Sequence, residues 1–429
     1  MGQDRLLNLL LECDWANDDK LGSVTMVNEV GMGIGSQKLI KSNNMKLIVK
    51  LLMQLGGLTI KEISQLTDLS IVTVSKNVEE LVESNVLVAS GIEAEFSYGR
   101  KPMVYQFNAV QKYVASIDLG KKVVDVGIGN MQAEIVEVSA YEIPDNLNGQ
   151  EIMADIMQRL SDLLGSNGIG LGMLGSIVIA NPGIVFDDSG RIKNPAAIAE
   201  RWADLPLVEM FAKRFGCRVI VMNDIDLSAV GFQAVRRPDE RHSNFVHVSV
   251  DVGIGAGIIV EGLLLEGQNA SAGEVGFTTN IRDDGSIELI HYESVASISA
   301  LMSRFKELLP ENKSSFLYCA MQDDPENLTL EIVERAAQTD AFVQREISHM
   351  ASYIAAIALN AMMLLDINTV VLGGEVLLLK DKFINPFIQA IRENSIQNSE
   401  IDVVTADKQS ATFGCFHVGR NAVIENDLC

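Results

Sequence analysis

An α/β architecture led by an N-terminal winged helix-turn-helix, with a two-lobed body behind it, is the fold class this sequence predicts. Three observations carry it. Residues 58–83, LTIKEISQLTDLSIVTVSKNVEELVE, place two helical patterns either side of a turn. Two β-like runs around a basic, Gly-containing tip follow directly. From Tyr113 onward, buried strand patterns alternate with helical ones.

Residues 1–35 form an N-terminal extension of weak helical pattern with glycines at 31, 33 and 35, and no role is assigned to it. The spacing predicts a first helix over about Asn43–Leu55, with Ile48, Leu51, Leu52 and Leu55 facing in. Ile60, Ile63 and Leu66, three apart, stack on one face of the next helix. Asp68-Leu69-Ser70 breaks the pattern with turn-forming polar residues around one Leu expected to be buried. Ser70 is a good N-cap for a second helix, in which Val74, Val78 and Leu81 recur at i, i+4, i+7. Turning those three inward leaves Val72, Thr73 and Lys76 outward near the helix N-terminus, the end of a recognition helix that meets base edges. An ordinary helical hairpin has the same pattern. The sequel, Val86–Val88, then Glu95–Pro102, then Val104–Phe107, favours a wing instead. The expected DNA contacts are Ser70, Val72, Thr73 and Lys76, with Arg100 and Lys101 at the wing tip.

The length of 429 residues exceeds one typical core. The expected division is an extension over 1–35, a DNA-binding module over 36–110 and a body over 111–429. Net charge is −23, which opposes nucleic-acid binding until the charge is located. Between Ser36 and Val110 eight Lys and Arg stand against seven Asp and Glu, so the excess acid lies elsewhere. Attraction to phosphate must then be local, and paired docking on a duplex is expected. The five cysteines (13, 217, 319, 415, 429) form no CxxC pair, which suits a reducing cytoplasm and excludes a disulfide framework. No signal peptide is expected from the acidic start. The apolar run Ala351–Leu365 is interrupted by Asn360 and is shorter than a span requires, so it reads as a buried helix.

In the body the strand patterns are VASIDLG, KVVDVGIGN, EIVEVSAYEI, GSIVIANPG, RVIVMND, the long run NFVHVSVDVGIGAGIIVEG and NTVVLGGEV. Helices are expected at about 149–164, 206–215 and 225–234 and over most of 293–365. The strand-loop pattern near Asp118 and again near Asp251 hints at a duplicated fold.

Six short elements then stand in order: Asp118-Leu119-Gly120, Asn181-Pro182-Gly183, Asn223-Asp224, Gly253-Ile254-Gly255-Ala256-Gly257, Gly273-Glu274-Val275-Gly276 and Leu372-Gly373-Gly374. Each is weak alone. Their order and spacing, behind a winged helix and the Gly99–Pro102 turn, resemble the ROK family of sugar kinases and sugar-responsive transcriptional repressors over nearly all of 36–429. The resemblance implies an actin-like ATPase fold for the body. In the family's kinases the Asp of the Asn-Asp pair takes the sugar hydroxyl proton, which here is Asp224. It implies a sugar-contacting set of Asn194, Asn223, Asp224, Glu274 and Glu293. Carboxylates and amides suit a polyol, whose hydroxyls each need an acceptor and a donor. Glu274 and Glu293 could equally be structural or solvated.

This chain departs from the family pattern at three places. Asp118-Leu119-Gly120-Lys121-Lys122 lacks a second glycine and a threonine. In the second loop Asp251 puts a carboxylate where triphosphate would lie, and Val252 replaces a hydroxyl residue. Both changes weaken the positioning on which phosphoryl transfer rests, so no catalytic residue and no cofactor are expected. Finally, Glu274-Val275-Gly276 ends in Phe277 where the family has a zinc-binding His, and residues 278–292 hold no cysteine. No metal is expected, and Phe277 is expected to plug the loop by packing. The partners implied are double-stranded operator DNA and a small-molecule sugar effector, with no membrane and a homodimer or higher homo-oligomer. An active sugar kinase with a DNA-binding appendage, and a constitutive DNA-binding scaffold with a dead pocket, are the rivals.

Overall fold

The computed structural model describes residues 35–91, 103–120, 123–193, 199–236, 243–283, 287–321, 324, 327–396 and 401–427. The described residues fall into two compact units. Unit 1 takes the chain up to Ile179, then Leu205–Val221 and the part from Cys415; unit 2 takes Ala180–Asp204 and Met222–Gly414.

The N-terminal module is α1 (Gly35–Leu55), β1 (Leu58–Thr59), α2 (Ile60–Thr67), α3 (Ile71–Glu83), β2 (Leu87–Gly91) and β3 (Met103–Phe107). The three strands form one antiparallel sheet in the order β1-β3-β2, with Leu58 opposite Tyr105 and Leu87 opposite Phe107. Helix α2 starts on a reciprocal cap. The Thr59 backbone N–H donates to Glu62 Oε2 at 2.8 Å, and the Glu62 N–H donates to Thr59 Oγ1 at 3.3 Å. Asp68 adopts a left-handed φ of 55° to end it. Ser70 caps α3, accepting from the Thr73 N–H at 3.1 Å. Ile48, Leu52, Ile63, Val74, Val78 and Leu81 are fully buried and form the module core. Three expectations need correction. Helix α1 starts at Gly35 rather than near Asn43. Leu55 ends α1 and is exposed rather than inward, while Val49 takes a buried position. Leu69 is only partly buried, because the αL turn at Asp68 lifts it outward.

The body continues through β4 (Tyr113–Leu119), β5 (Val123–Asn130), β6 (Ile135–Glu142), α4 (Gly149–Ser166), β7 (Leu174–Asn181), β8 (Ile184–Val185), β9 (Ile192–Lys193), α5 (Leu207–Phe215), β10 (Arg218–Asn223) and α6 (Asp224–Ala234). Next come β11 (Phe245–Val250), β12 (Ile254–Val260), β13 (Leu263–Leu264), β14 (Thr279–Asp283) and β15 (Ile287–His291). Five helices follow: α7 (Glu293–Ala296), α8 (Ile298–Leu308), α9 (Phe316–Met321), α10 (Leu330–Ala336) and α11 (Ala341–Leu365). The chain closes with β16 (Thr369–Gly373), α12 (Asp381–Asn394), β17 (Asp402–Thr405) and α13 (Ser410–Asp427).

One five-stranded sheet runs β10-β7-β4-β5-β6, the other β17-β16-β11-β12-β13. In each, the first strand sits centrally, its antiparallel meander lies on one side, and the later strands lie on the other. The duplication hinted at by the Asp118 and Asp251 patterns is thus a repeat of topology. The run 244–262 is not one strand but the β11–β12 hairpin, paired from Phe245–Ile259 to Val250–Ile254. Both strands are buried on both faces, so apolar residues run on without alternation and hide the turn at Asp251–Gly253. The expected loop before Glu293 contains the β14–β15 hairpin.

In unit 2, α11 packs Val343, Ile347, Met350, Ile354, Ala358 and Met362 against Val246, Val248 and Val250 of β11. Helix α11 is long and apolar enough to cross a membrane, and this buried face makes it a core helix. On the opposite side, α6 lies so close to β12 that a Cβ at Gly257 would sit 2.5 Å from the Ala229 Cβ and 2.9 Å from the Ile225 carbonyl oxygen. Behind it, a Cβ at Gly414 would meet the Leu227 carbonyl oxygen at 1.9 Å. In unit 1, Phe416 lies over Gly129, and Ser176 Oγ donates to the Gly419 carbonyl at 3.0 Å.

Leu81→Ala should destabilise the N-terminal module by about 2–5 kcal/mol, and Thr59→Ala by about 1 kcal/mol. Hydrogen–deuterium exchange checks this: peptides within 58–83 should lose protection in that order, with those of α11 unchanged.

Candidate functional site

Two sets of residues stand out, one in each unit. On α3, Ile71 is 57% and Val72 65% exposed, and Lys76 is exposed beside them. The two are adjacent exposed aliphatic side chains at the N-terminal end of the helix. Ser70 and Thr73 share a 2.9 Å hydroxyl contact at the cap, so they fix the helix end as well as face outward. Ile71 escaped the sequence reading because it lies three residues before Val74 and looks inward by period. It sits ahead of the first full turn and turns out to solvent. Arg100 and Lys101 lie outside the described residues, as does Asn194.

In unit 2, α6 begins at the end of β10. Asn223 caps it, its Oδ1 accepting from the Ile225 and Asp226 N–H groups at 2.9 and 3.2 Å. Asn223 Nδ2 donates to the Gly183 carbonyl at 3.2 Å, and Asn181 Oδ1 accepts from the buried Trp202 indole at 2.9 Å. The Asn181-Pro182-Gly183 turn therefore braces Asn223. This arrangement commits much of Asn223 to structure and presents the carboxylates that follow it. Asp226 lies close enough to Glu266, Asp224 and Glu274 to be repelled by each, and Glu274 feels Glu293 and Asp224. Burial and then Glu293 and Asp224 hold the Glu274 carboxyl above its ordinary range.

Asp226 was not singled out from sequence. Burial, then Glu266, Asp224 and Glu274, push its carboxyl up to about 8. A second carboxylate two residues after Asn-Asp was the signal available. Its outcome depends on β12 closing over α6, which no local pattern reports.

The remaining carboxylates serve backbone N–H groups of glycine turns. Asp251 Oδ1 accepts from the Glu375 N–H at 2.7 Å, and its Oδ2 accepts from Ser249 Oγ at 2.9 Å. Glu375 begins the 3₁₀ turn Glu375–Leu379, right after Gly373-Gly374. Glu293 Oε2 accepts from the Ile254 N–H at 3.0 Å. Glu293 is thus held to the β12 glycine run by one oxygen. Lys121 and Lys122 lie outside the described residues.

Phe277 does not plug the loop. It ends the 3₁₀ turn Val275–Phe277 and is 46% exposed, because that turn sits at the lip of the β14–β15 hairpin. Its ring meets His291 edge-on, centroids 5.8 Å apart at 70°, and His291 Nδ1 lies 2.7 Å from the Phe277 carbonyl oxygen. Packing of this pair and the hairpin ladder do hold the segment together.

A raised carboxyl makes the native state prefer the proton. Asp226 therefore contributes stability that is present at low pH and is lost as pH climbs from about 4 toward about 8. Asp226→Asn, which cannot ionise, should flatten this fall and raise Tm above about pH 8, read from melting curves across pH.

A profile described as "ROK family" matches residues 114–418. The chain is 25% identical over 403 residues to the xylose repressor of Caldicellulosiruptor bescii, covering 89% of this chain and 96% of that protein. It is 26% identical over 284 residues to the glucokinase of Halalkalibacterium halodurans, covering 65% of this chain and 84% of that one. A crystal structure of a ROK family transcriptional regulator, a homolog of the Escherichia coli MLC protein, superposes with a TM-score of 0.75 at 20% identity, covering 91% of this chain and 98% of that one. That profile spans well over half of the chain, and the chain belongs to the ROK family.

Proposed function

We propose that the protein is a sugar-responsive, DNA-binding transcriptional repressor of carbohydrate-metabolism genes. The observation that carries this reading is the combination, on one ROK chain, of an α3 end stripped of core contacts and a set of carboxylates gathered around α6. Residues 36–110 serve as the DNA-binding module and 111–429 as the effector body. A homodimer or higher assembly presents two recognition helices to a pseudo-palindromic duplex, since one short helix reads few base pairs. Binding DNA places it in the cytoplasm. A sugar that binds one state of the body better than another shifts operator affinity by the same factor. In this reading Asp224, Glu274 and Glu293 accept hydrogen bonds from the sugar hydroxyls, and Asn223 and Asn194 complete the set. Negative charge already present there disfavours a sugar phosphate.

The relation to a glucokinase supports one rival, a working kinase that keeps Asp224 as its base. Against it stands Asp251. Its carboxylate takes the Glu375 N–H that a phosphate on the Gly373-Gly374 turn would need, and it repels a phosphate at that spot. The zinc of the family is not supported either, since Phe277 offers no ligand atom and His291 Nδ1 faces a carbonyl.

Lys76→Ala, and separately Arg100→Ala with Lys101→Ala, should weaken operator binding and reduce its salt slope by about one for each phosphate no longer neutralised. Val72→Ala should instead shift sequence preference, by about 1 kcal/mol at one base pair. Electrophoretic or anisotropy titrations at several salt concentrations read both. Unchanged slope in Lys76→Ala would remove α3 from the interface.

Asp224→Ala and Glu274→Ala should bind operator normally yet lose release by sugar, measured by titrating the protein–operator complex with free and phosphorylated sugars. A coupled assay with ATP and a panel of hexoses, pentoses and amino sugars should register no phosphorylation. Turnover that Asp224→Asn abolishes would establish the kinase instead.

A further inference from the structure

Glu346 gathers more positive charge than one carboxylate can neutralise. It lies on α11, and its side chain is almost wholly buried. Its Oε2 accepts from Arg304 Nε of α8 at 2.5 Å, and its Oε1 accepts from Arg345 Nε at 3.3 Å. His349, three residues on along α11, brings Nδ1 to 3.8 Å from the same Oε2. Burial pushes the Glu346 carboxyl up, but hydrogen bonding and charge from Arg304, then Arg345 and His349, outweigh it and hold the group below the ordinary carboxylate range. Glu346 is therefore ionised, and a buried carboxylate needs one cation to offset it. It has two permanent ones.

The two arginines are anchored but only partly engaged. Each gives its Nε alone to Glu346, and among the described residues no hydrogen bond or other ion pair takes the terminal Nη groups of either. Both Nε atoms sit on one carboxyl group, so the two guanidiniums are near neighbours. Their side chains are 51% and 60% exposed, open to solvent beside a buried acid. The Phe342 ring flanks Arg345, with its centroid 5.6 Å from the guanidinium carbon, and is itself packed edge-on against the buried Phe305 of α8. Asp340, at the start of α11, is committed elsewhere: it accepts from Ser315 Oγ and from the Phe316 and Phe342 N–H groups. A guanidinium held in place before a ligand arrives loses less freedom on binding it.

The geometry points to an anion-binding site in which Arg304 and Arg345 clamp the phosphoryl group of free phosphate or of a small phosphate monoester, with His349 at its edge. A guanidinium presents paired N–H donors in a plane, which match phosphate oxygens two at a time. Two guanidiniums less one carboxylate leave net positive charge, increased by a protonated His349, for a group that carries about −1.5 to −2. That excess stands on a chain whose net charge is −23, so the rest of the surface does not compete for the anion. The site uses α8 and α11 and none of the carboxylates around α6, so it stands or falls apart from the sugar reading.

Isothermal titration of full-length protein with inorganic phosphate and with glycerol 3-phosphate tests it, near neutral pH and at ionic strength fixed with sodium chloride. The proteins compared are wild type, Arg304→Gln, Arg345→Gln and Arg345→Lys, with the melting temperature read on each. Wild type should bind phosphate saturably, and Arg304→Gln and Arg345→Gln should each weaken that binding about tenfold. Arg345→Lys keeps a cation for Glu346 and should keep the wild-type melting temperature, yet it loses the paired donors and should weaken phosphate about threefold. Equal affinity for the two probes assigns the site to the phosphoryl group alone. Tighter glycerol 3-phosphate assigns it to an ester, and tighter inorganic phosphate to the free ion. Absence of saturable binding by either probe overturns the site, as does wild-type affinity in both glutamine variants. Should those two melt early, Arg345→Lys decides: undiminished phosphate affinity there refutes the clamp.

Discussion

The contact between helix α6 and strand β12 governs what the rest of unit 2 can do. Gly255 and Gly257 bring the strand's backbone against Ile225 and Ala229 with no room for a methyl group. On the helix's other flank, Gly231 and Gly414 bring α13's first turn equally near: a Cβ at Gly231 would fall 1.7 Å from the Ser410 carbonyl oxygen. Held from two sides, α6 has one place to be, and its first turn delivers Asp224 and Asp226 toward Glu266 and Glu274. Gathering that much negative charge opposes folding, and packing around four glycines is what overcomes it.

Burial and mutual repulsion divide these carboxyl groups into distinct kinds. Asp226 retains its proton into the neutral range, and so offers a donor among acceptors. Asp251 and Glu293 are tied to backbone N–H groups, and each ends a glycine turn that would otherwise present unsatisfied donors.

Much of this was legible before any coordinates. Period and turn chemistry located α2 and α3, and the cap at Ser70 is where a serine before a helical repeat should put it. The Thr59-x-x-Glu62 capping box was equally readable and would have placed the start of α2. What local pattern could not convey was anything set by a distant element. Leu55 follows the apolar spacing of α1 yet meets no partner, while Ile71 fits an inward period and faces water. The β11–β12 hairpin hid inside one apolar run because both of its strands are covered on both faces. Phe277 invited the opposite error, since a large ring replacing a polar family residue suggests burial, and only the turn geometry shows it on the surface. The family resemblance, not spacing, pointed to Asn223 and the carboxylates, and it could not tell that Asn223 spends its amide on a cap and on Gly183.

The Asp251–Glu375 bond closes a long stretch of chain on itself, tying the end of β11 to the turn after β16, 124 positions later in sequence. An anion arriving there has to displace a carboxylate carried on the same chain before the Glu375 N–H is free, so the tether is an internal competitor whose strength does not fall with dilution.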